Sequence, residues 1–260
     1  MKIALMDSGI GLLAAAAALR ALRPDADLVI SNDPDGMPWG PRSAEDLTEH
    51  ALACARAAAV HRPDALVVAC NTASVHALDR LRTELEPGTP VIGTVPAIKP
   101  AAAGGGPVAI WATPATTGSP YQRGLIAEFG GGADITEVPC PGLADAVEHG
   151  DEAALERTIA AAAALTPAGT TALVLGCTHY ELVAERIAAA VAATGSRPAL
   201  YDSAAAVAAQ TLRRLPAEVR ERIGGGTLTV LQSGRPGTLP QAAARYPQGR
   251  ALLAPAAAPA

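Results

Sequence analysis

The sequence predicts an α/β protein made of two similar three-layer domains, each with a mainly parallel sheet. Short apolar runs typical of buried strands alternate with long alanine-rich stretches typical of helices, which is the pattern of parallel βαβ units. The two halves also look like a diverged repeat. Asp7, after the first strand, precedes Cys70 by 63 positions, and Thr113, after the first strand of the second half, precedes Cys177 by 64. This spacing indicates two domains related by a pseudo-twofold axis, with a cleft between them that holds the active site.

The first half is predicted to contain four strands with helices between them. The strands are residues 2–6, 27–31, 65–69 and 91–94, and the helices are residues 12–22, 43–61 and 74–86. Ser43, with Asp46 three residues later, forms a capping pair that begins the second helix.

A proline- and glycine-rich stretch, residues 95–107, marks a candidate crossing into the second domain. Further strands, with helices between them, are predicted near residues 108–112, 134–138 and 171–175. A late strand at residues 227–231 and a helix near residues 240–245 are expected to complete the first domain. The first domain is therefore residues 1–97 plus 204–260 and the second is residues 98–203, and the tail from Ala251 is expected to fray.

The composition excludes several classes of protein. A net charge of −5 without a basic run argues against nucleic acid as a direct partner. Four cysteines in 260 residues do not suggest a disulfide framework and are expected to be reduced thiols in a cytoplasmic protein. No run approaches the ~18 apolar residues that span a bilayer. The apolar N-terminus is interrupted by Asp7 and two glycines, which disfavours a signal peptide.

Two cysteines occupy matching surroundings. Cys70 follows the apolar run 65–69, Cys177 follows the run 172–176, and each precedes a polar turn and then a helix. Loops at the carboxyl ends of parallel strands are where open α/β sheets bind ligands. Two thiols facing one substrate from opposite sides suit the inversion of a carbon centre, because one group removes a proton and the other returns one. A thiol, with a reference pKa of about 8.5, can be tuned for either task.

Each of these cysteines has a candidate partner in proton transfer. Asp7 is expected to emerge beside Cys70 if their strands are parallel neighbours, and His179 lies two residues after Cys177. The alternatives are that Asp7 is a helix N-cap and that both cysteines are buried structural thiols. A zinc site is disfavoured because the chain has no Cys-x-x-Cys spacing.

Other cysteines and histidines are given structural interpretations. Cys54, among alanines in a predicted helix, and Cys140, before Pro141, are expected to be packing residues. The remaining histidines are expected to be solvated: His50, His61, His76 and His149. Trp39 is either a loop anchor or a substrate contact. Polar residues near the two cysteines are candidates to hold carboxylates, and helix N-termini at the same loops favour anions; these residues are Ser8, Asn71, Thr72, Thr116, Thr117 and Thr178.

Seven motifs occur in the order found in one enzyme family. They are Asp7-Ser8-Gly9-Ile10-Gly11, Pro38-Trp39-Gly40, Ala69-Cys70-Asn71-Thr72-Ala73-Ser74, Pro96-Ala97-Ile98-Lys99-Pro100, the set Thr113, Thr116, Ser119 and Tyr121, Cys140-Pro141-Gly142-Leu143 with Glu148, and Leu175-Gly176-Cys177-Thr178-His179-Tyr180. Together with Asp202-Ser203 and Ser233-Gly234, they make the chain resemble glutamate racemase. The resemblance implies a cofactor-independent isomerase that supplies D-glutamate for bacterial peptidoglycan, with its active site between two α/β domains.

The resemblance also implies a role for individual residues. Cys70 would take the α-proton from D-glutamate and Cys177 would take it from L-glutamate. Asp7 would assist Cys70, and His179, backed by Glu148, would assist Cys177. The substrate's amine and carboxylates would be bound by segments that contain Ser8, Pro38, Trp39, Gly40, Asn71, Thr72, Thr116, Thr117 and Thr178. Neither pyridoxal phosphate nor a metal is expected, and a homodimer is one expected assembly.

Three positions depart from the family pattern. Leu12 stands where the family usually has glycine, Trp39 where it has tyrosine, and Glu181 where it has proline. Because Leu12 and Trp39 lie near the expected pocket, aspartate or another acidic amino acid is an alternative substrate.

Two alternatives from other classes of protein are also open. Residues 9–14 fit the G-x-G-x-x-A dinucleotide fingerprint, with Asp33 placed to hold a ribose, although Asp7 would then face a pyrophosphate. A non-catalytic binding protein on the same scaffold is disfavoured, since a binder needs neither Cys70 nor Cys177.

Overall fold

A computed structural model describes residues 1–254 of the chain. The chain forms two compact units, one made of Met1–Val95 with the segment from Ala204 onward, the other made of Pro96–Ser203.

The elements follow one another in this order. Residues 1–95 form β1 (Lys2–Asp7), a short 3-10 helix (Ile10–Leu12), α1 (Leu13–Leu22), β2 (Asp27–Asn32), α2 (Ala44–Ala59), β3 (Ala65–Val68), α3 (Asn71–His76), α4 (Leu78–Leu85) and β4 (Val91–Gly93). Residues 96–203 form α5 (Ile98–Ala102), β5 (Val108–Ala112), α6 (Pro120–Phe129), β6 (Ile135–Pro139), α7 (Leu143–His149), α8 (Glu152–Leu165), β7 (Ala172–Leu175), α9 (Thr178–Glu181), α10 (Ala184–Ala193) and β8 (Ala199–Tyr201). The chain then forms α11 (Ala204–Arg214), α12 (Ala217–Arg220), β9 (Leu228–Gln232), β10 (Arg235–Gly237), a 3-10 helix (Gln241–Arg245) and α13 (Pro247–Leu253).

The sheet of the first unit has six strands in the order β10-β9-β2-β1-β3-β4. All neighbours are parallel except β9 and β10, which form an antiparallel hairpin at one edge. The late strand β9 lies beside β2, so the C-terminal part of the chain extends the first sheet. A late strand was predicted at residues 227–231, and β9 occupies Leu228–Gln232.

The sheet of the second unit has four parallel strands in the order β6-β5-β7-β8. This order corresponds, strand for strand, to β2-β1-β3-β4 in the first sheet. The strands that precede Cys70 and Cys177, β3 and β7, therefore occupy equivalent places beside the first strand of their own unit. The predicted α/β fold with two mainly parallel sheets is confirmed.

Helices cover both faces of the first sheet. A core cluster on one face joins α2 and α4 to alternate strand residues such as Met6 and Val68. On the other face α1 packs against α11 and α13, and α11 contacts β3 and β4. Ser43 caps α2 as predicted, since its hydroxyl accepts a hydrogen bond from the Asp46 N–H at 3.2 Å.

The prediction of one helix at residues 74–86 is wrong. The helix begins at Asn71, directly after Cys70, and is divided at Ala77 into α3 and α4. Asn71 and Thr72 have low helix propensity and were expected to lie in a turn. In the structure Asn71 and Thr72 form the first turn of α3, so the backbone N–H groups at the start of this helix lie next to Cys70.

The C-terminal predictions were partly wrong. The helix near residues 240–245 is a 3-10 helix, and α13 follows it. Ala251 to Leu253 form the last turn of α13, so fraying from Ala251 is wrong for these residues, and residues 255–260 lie outside the described part. None of the helices within residues 1–254 is both long and apolar enough to cross a membrane.

Candidate active site

Cys70 lies at the carboxyl edge of the first sheet, next to the end of β1. β1 and β3 are parallel neighbours, and the Ala69 N–H donates to the Met6 carbonyl at 2.9 Å. The two segments are therefore still hydrogen-bonded to each other one residue before Cys70. Asp7 was expected beside Cys70 if their strands were parallel neighbours, and the strands are parallel neighbours. Cys70 is 8% exposed and its backbone is extended, with φ −144° and ψ 121°, immediately before α3.

Asp7 is buried at the same edge and is not a helix N-cap. One carboxylate oxygen, Oδ1, accepts a hydrogen bond from the Ser8 N–H at 2.7 Å. The N-cap position of the 3-10 helix that follows is held by Gly9, so Asp7 does not occupy that position. We use the term Cys70 half-site for Asp7, Ser8, Cys70, Asn71 and Thr72; all but the half-buried Thr72 are buried.

Cys177 occupies the equivalent place in the second unit. Its backbone is extended, with φ −141° and ψ 133°, immediately before α9, and the Gly176 N–H donates to the Trp111 carbonyl of β5 at 2.8 Å. The side chain is half-buried, whereas Thr178 and His179 beside it are buried. A Cβ at position 176 would lie 2.8 Å from the Trp111 carbonyl oxygen, so only glycine allows this close approach.

A thiol, an imidazole and a carboxylate lie in series beside Cys177. His179 Nε2 is 2.9 Å from Glu148 Oε2, and His179 Nδ1 is 4.0 Å from Cys177 Sγ. The side chains of His179 and Glu148 are only 8% and 10% exposed. With the Nε2–H donated to Glu148, Nδ1 can accept the thiol proton, and a protonated imidazole can stabilise the thiolate. We use the term Cys177 half-site for Glu148, Cys177, Thr178 and His179, together with Thr116 and Thr117.

Two further groups near Cys177 stay protonated. Burial, and secondarily the proximity of Cys177, raises the pKa of the Cys140 thiol to about 12. Tyr180 is fully buried, its hydroxyl donates to the Cys140 carbonyl at 3.3 Å, and burial holds its pKa well above the usual range. The expectation that Cys140 is a packing residue is confirmed, and Cys177 and His179 are the groups here that suit proton transfer.

Thr116 and Thr117 lie in the turn after β5, the strand beside β7. Both of their N–H groups donate to the Thr113 carbonyl at 2.9 Å. The Thr117 hydroxyl also donates to that carbonyl at 3.0 Å, and the Thr116 hydroxyl is 3.2 Å from the Thr113 hydroxyl. The turn is therefore fixed by its own hydrogen bonds, and both hydroxyl oxygens keep acceptor or donor capacity for a ligand.

Trp39 is a buried loop anchor. Its side chain is 1% exposed and its indole N–H donates to Asp33 Oδ2 at 3.0 Å, so this group is used within the protein. Pro38 is exposed and Gly40 is half-buried.

The dinucleotide alternative is wrong because Asp33 has no capacity left for a ribose. A carboxylate accepts about four hydrogen bonds. Asp33 is 5% exposed, and four groups already contact its oxygens: the Ser233 hydroxyl, the Gly36 N–H, the Trp39 indole N–H and His50 Nδ1.

The contact with Asp33 also corrects the expectation that His50 is merely solvated. Its side chain is 30% exposed and its Nδ1 lies 2.7 Å from Asp33 Oδ2. Cys54 is a core residue as expected: it is 2% exposed, and burial raises its pKa to about 12.

Sequence reasoning missed one buried contact at the end of α9, the helix that contains Thr178 and His179. Glu181 Oε1 accepts hydrogen bonds from the Ser203 N–H at 2.9 Å and the Ser203 hydroxyl at 2.6 Å. The signal was present, because Glu181 stands where the family usually has proline and because the pair Asp202-Ser203 also fits the family pattern. Within residues 1–254, no group of three or more His, Cys, Asp and Glu side chains is arranged to hold a metal ion.

Comparison with known proteins decides the family. The model of the Asp/Glu/Hydantoin racemase family matches residues 12–211. The chain belongs to this family. The resemblance drawn from the seven motifs is thereby confirmed, and this racemase carries both motif cysteines.

Curated relatives and a solved structure agree with this assignment. The racemase is 36% identical to glutamate racemase from Herpetosiphon aurantiacus over 90% of this chain and 93% of that protein. It is 37% identical to glutamate racemase from Pseudomonas putida over 82% of this chain and 80% of that protein. It is similar, with a TM-score of 0.76 and 28% identity, to Escherichia coli glutamate racemase in complex with L-glutamate and the activator UDP-MurNAc-Ala, over 91% of this chain and 99% of that one.

Proposed function

We propose that this racemase interconverts L-glutamate and D-glutamate by transferring a proton at the α-carbon between two cysteines. The observation that carries the proposal is the equivalence of the two thiols. Cys70 and Cys177 follow equivalent strands with nearly the same backbone dihedral angles, and each stands directly before a helix. The curated relatives, at 36–37% identity, are glutamate racemases, and the E. coli neighbour binds L-glutamate, which supports this substrate.

In the proposed reaction, each domain contributes one thiol to a single substrate. The domains are residues 1–97 plus 204–260, carrying Cys70, and residues 98–203, carrying Cys177. In the L-to-D direction, the Cys177 thiolate takes the α-proton and the Cys70 thiol donates its proton to the opposite face of the carbanion. The two cysteines end with their protonation states exchanged, so the D-to-L direction uses them in reversed roles.

His179 and Glu148 are proposed to assist Cys177. An imidazole held between a carboxylate and a thiol stabilises the thiolate when it is protonated and accepts the thiol proton when it is neutral. The 2.9 Å contact with Glu148 fixes the orientation of the ring. Asp7 is proposed to assist Cys70 from the end of the neighbouring strand.

The remaining half-site residues are proposed to bind the amine and the two carboxylates. On the Cys70 side these are Ser8, Asn71 and Thr72, with the loop containing Pro38, Trp39 and Gly40. On the Cys177 side these are Thr116, Thr117 and Thr178. Hydroxyls, amides and the N–H groups of the turns after parallel strands favour carboxylates, and such turns are the usual ligand sites of open α/β sheets.

The biological role is part of the same proposal. We propose that the enzyme acts in the cytoplasm without a cofactor and supplies D-glutamate for peptidoglycan. We also propose a homodimer, for which light scattering coupled to size exclusion is the direct measurement.

The test of the reaction is an assay of the purified protein in deuterium oxide without added cofactor. We expect L-glutamate to lose its circular dichroism while its α-proton is replaced by deuterium in the NMR spectrum. A panel with aspartate and other acidic amino acids tests the substrate. Faster turnover of aspartate would replace glutamate in the proposal, and no turnover of any acidic amino acid would reject it.

A further inference from the structure

The loop of residues 33–42 connects β2 to α2 and contains the proposed substrate-binding segment Pro38-Trp39-Gly40. Its anchor is the carboxylate of Asp33. Asp33 Oδ1 accepts hydrogen bonds from the Ser233 hydroxyl at 2.9 Å and the Gly36 N–H at 3.2 Å. Asp33 Oδ2 accepts the Trp39 indole N–H at 3.0 Å. This one carboxylate thus joins the loop to the turn after β9 and to the ring of Trp39.

His50 reaches the same oxygen from α2. Its Nδ1 lies 2.7 Å from Asp33 Oδ2, so His50 and Trp39 share one acceptor. Among residues 1–254, no lysine or arginine forms an ion pair with Asp33, which leaves His50 as the partner able to carry a positive charge. A buried carboxylate is costly unless it is paired and hydrogen-bonded. His50 therefore helps to keep Asp33 in the orientation that Trp39 requires.

The backbone at Gly36 is shaped around this contact. A Cβ added at position 36 would lie 2.0 Å from Asp33 Oδ2 and 2.4 Å from His50 Nδ1. No side chain larger than hydrogen fits while Asp33 and His50 stay in contact. Gly36 is held in place in turn, because its carbonyl accepts from Arg42 Nε at 2.7 Å.

The position of the Trp39 ring bears on Cys70. Trp39 is 1% exposed and belongs to the same core cluster as Cys70, Met6 and Val68. A buried ring in a close-packed cluster cannot rotate without moving its neighbours. The contacts thus run from His50 through Asp33 to Trp39, which belongs to the core cluster that also contains Cys70.

We infer that His50 and Asp33 are positioning residues that hold Trp39, and with it the substrate-binding loop, in the geometry that glutamate binding needs. The inference rests on the proposed function for its effect on glutamate, but the contact itself can be tested without any activity. It also explains how tryptophan serves at position 39, where the family usually has tyrosine: the indole N–H takes Asp33 as its acceptor.

The first test is the indole N–H signal of Trp39 in NMR spectra of protein labelled with 15N-tryptophan. The chain has two tryptophans, and Trp111 donates to the Thr166 hydroxyl at 2.8 Å, which provides an internal reference. His50→Ala is expected to shift the Trp39 signal and to leave the Trp111 signal in place, with Trp39→Phe used for assignment. His50→Asn places an amide N–H where Nδ1 stood and is expected to keep the native shift. Gly36→Ala is expected to shift the same signal as His50→Ala. A Trp39 signal unmoved by both His50→Ala and Gly36→Ala would overturn the inference.

The second test separates positioning from a merely structural role. His50→Ala is expected to raise the KM for glutamate about tenfold with kcat changed less than about threefold, which is the size expected for losing one hydrogen bond to a charged group. His50→Asn is expected to restore KM to within about threefold. His61→Ala is the matched control. His61 lies just beyond α2, and its imidazole forms no hydrogen bond or ion pair with the residues that the structure describes. An unchanged KM, with kcat falling in proportion to the folded fraction, would show that His50 only stabilises the fold and would refute the positioning role.

The two tests also separate this inference from the proposed function. If the wild-type protein did not racemise glutamate, the proposed function would fail, and the indole signal would still decide whether His50 holds Trp39. If the wild-type protein is active and neither the signal nor KM responds to His50→Ala, the positioning role alone fails.

Discussion

At the scale of single residues, the contact between Glu148 and His179 leads to a test of the proposed mechanism. Its carboxylate lies 2.9 Å from His179 Nε2, and both side chains are about nine-tenths buried. In the proposed reaction, a carboxylate this close in a poorly solvated site stabilises the imidazolium that forms when His179 takes a proton. Glutamine at position 148 would keep an acceptor for Nε2–H and remove only the charge.

We therefore expect Glu148→Gln to lower kcat/KM for glutamate by about 10- to 100-fold, within the range of general acid–base effects. Because two enantiomers have equal free energy, kcat/KM must fall by the same factor in both directions. Circular dichroism kinetics started from each enantiomer give both values. The control is Glu152→Gln, which removes the exposed ion pair with Arg186 and should change kcat/KM less than twofold. Equal losses in both variants would contradict a special role for Glu148.

The buried thiols predict how stability depends on pH. Burial raises the pKa of Cys54 to about 12 in the folded protein, above the reference value near 9. The folded state therefore holds this proton more tightly, so its contribution is fully present below about pH 9 and is lost as pH rises toward 12. Cys54→Ala should flatten the alkaline decline in the free energy of unfolding, measured by urea titrations between pH 8 and pH 11. An identical pH dependence in the variant would show that Cys54 does not titrate as its burial implies.

At the scale of elements, Glu181 joins α9, the helix that follows Cys177, to the segment that leads out of the second unit. Glu181 is the last residue of α9. Its carboxylate accepts hydrogen bonds from the N–H and the hydroxyl of Ser203, the residue before α11. Proline, the family's usual residue at position 181, could not make these bonds. The chain has replaced a rigid residue by a buried polar contact.

Removing this contact should destabilise the protein. Glu181→Ala leaves the buried N–H and hydroxyl of Ser203 without this acceptor, which costs about 1–3 kcal/mol. Glu181→Gln keeps an acceptor oxygen and should cost less. Urea unfolding of both variants and of Ser203→Ala gives the comparison, and the double variant Glu181→Ala/Ser203→Ala should lose less than the sum of the two single changes. Additive losses would mean that the two side chains do not act on each other.

The helices and strands also show where apolar runs and residue propensities predict secondary structure correctly and where they do not. Apolar runs bounded by turn residues located β5 at residues 108–112, in agreement with Val108–Ala112 in the structure, and located β1 to within one residue. The same reasoning failed at α3. This helix begins at Asn71, directly after Cys70, although Asn71 and Thr72 have low helix propensity, so the tertiary structure overrides local propensity here. Local pattern predicts elements well where packing and propensity agree.

At the scale of the whole molecule, the repeat was the most productive prediction. The spacing of Asp7 and Cys70 matches that of Thr113 and Cys177 to within one position, and the order of the four strands in the second sheet corresponds to that of β2-β1-β3-β4 in the first. Contacts between distant residues could not be predicted in this way. Ser233 and Asp33 are 200 positions apart, and Glu148 and His179 are 31 apart, and no periodicity links such pairs. His179 was predicted from its place two residues after Cys177, Glu148 came only from the motif resemblance, and the Asp33 network needed the structure.

The corresponding places of the two thiols lead to a prediction about single-cysteine variants. With Cys70→Ala, Cys177 can still take the α-proton from L-glutamate, but no thiol is left to return a proton to the other face. In deuterium oxide the Cys177 thiol exchanges its proton with solvent and returns deuterium to the face from which it took hydrogen. Racemisation should fall by about 10²- to 10⁴-fold, while L-glutamate gains α-deuterium in the NMR spectrum and keeps its circular dichroism. Cys177→Ala should do the same with D-glutamate alone. Cys54→Ser, a change at a core thiol outside both half-sites, should leave racemisation nearly unchanged. Racemisation by Cys70→Ala within tenfold of the wild-type rate would rule out a two-thiol mechanism, because a single base cannot deliver a proton to the opposite face of the carbanion at that rate.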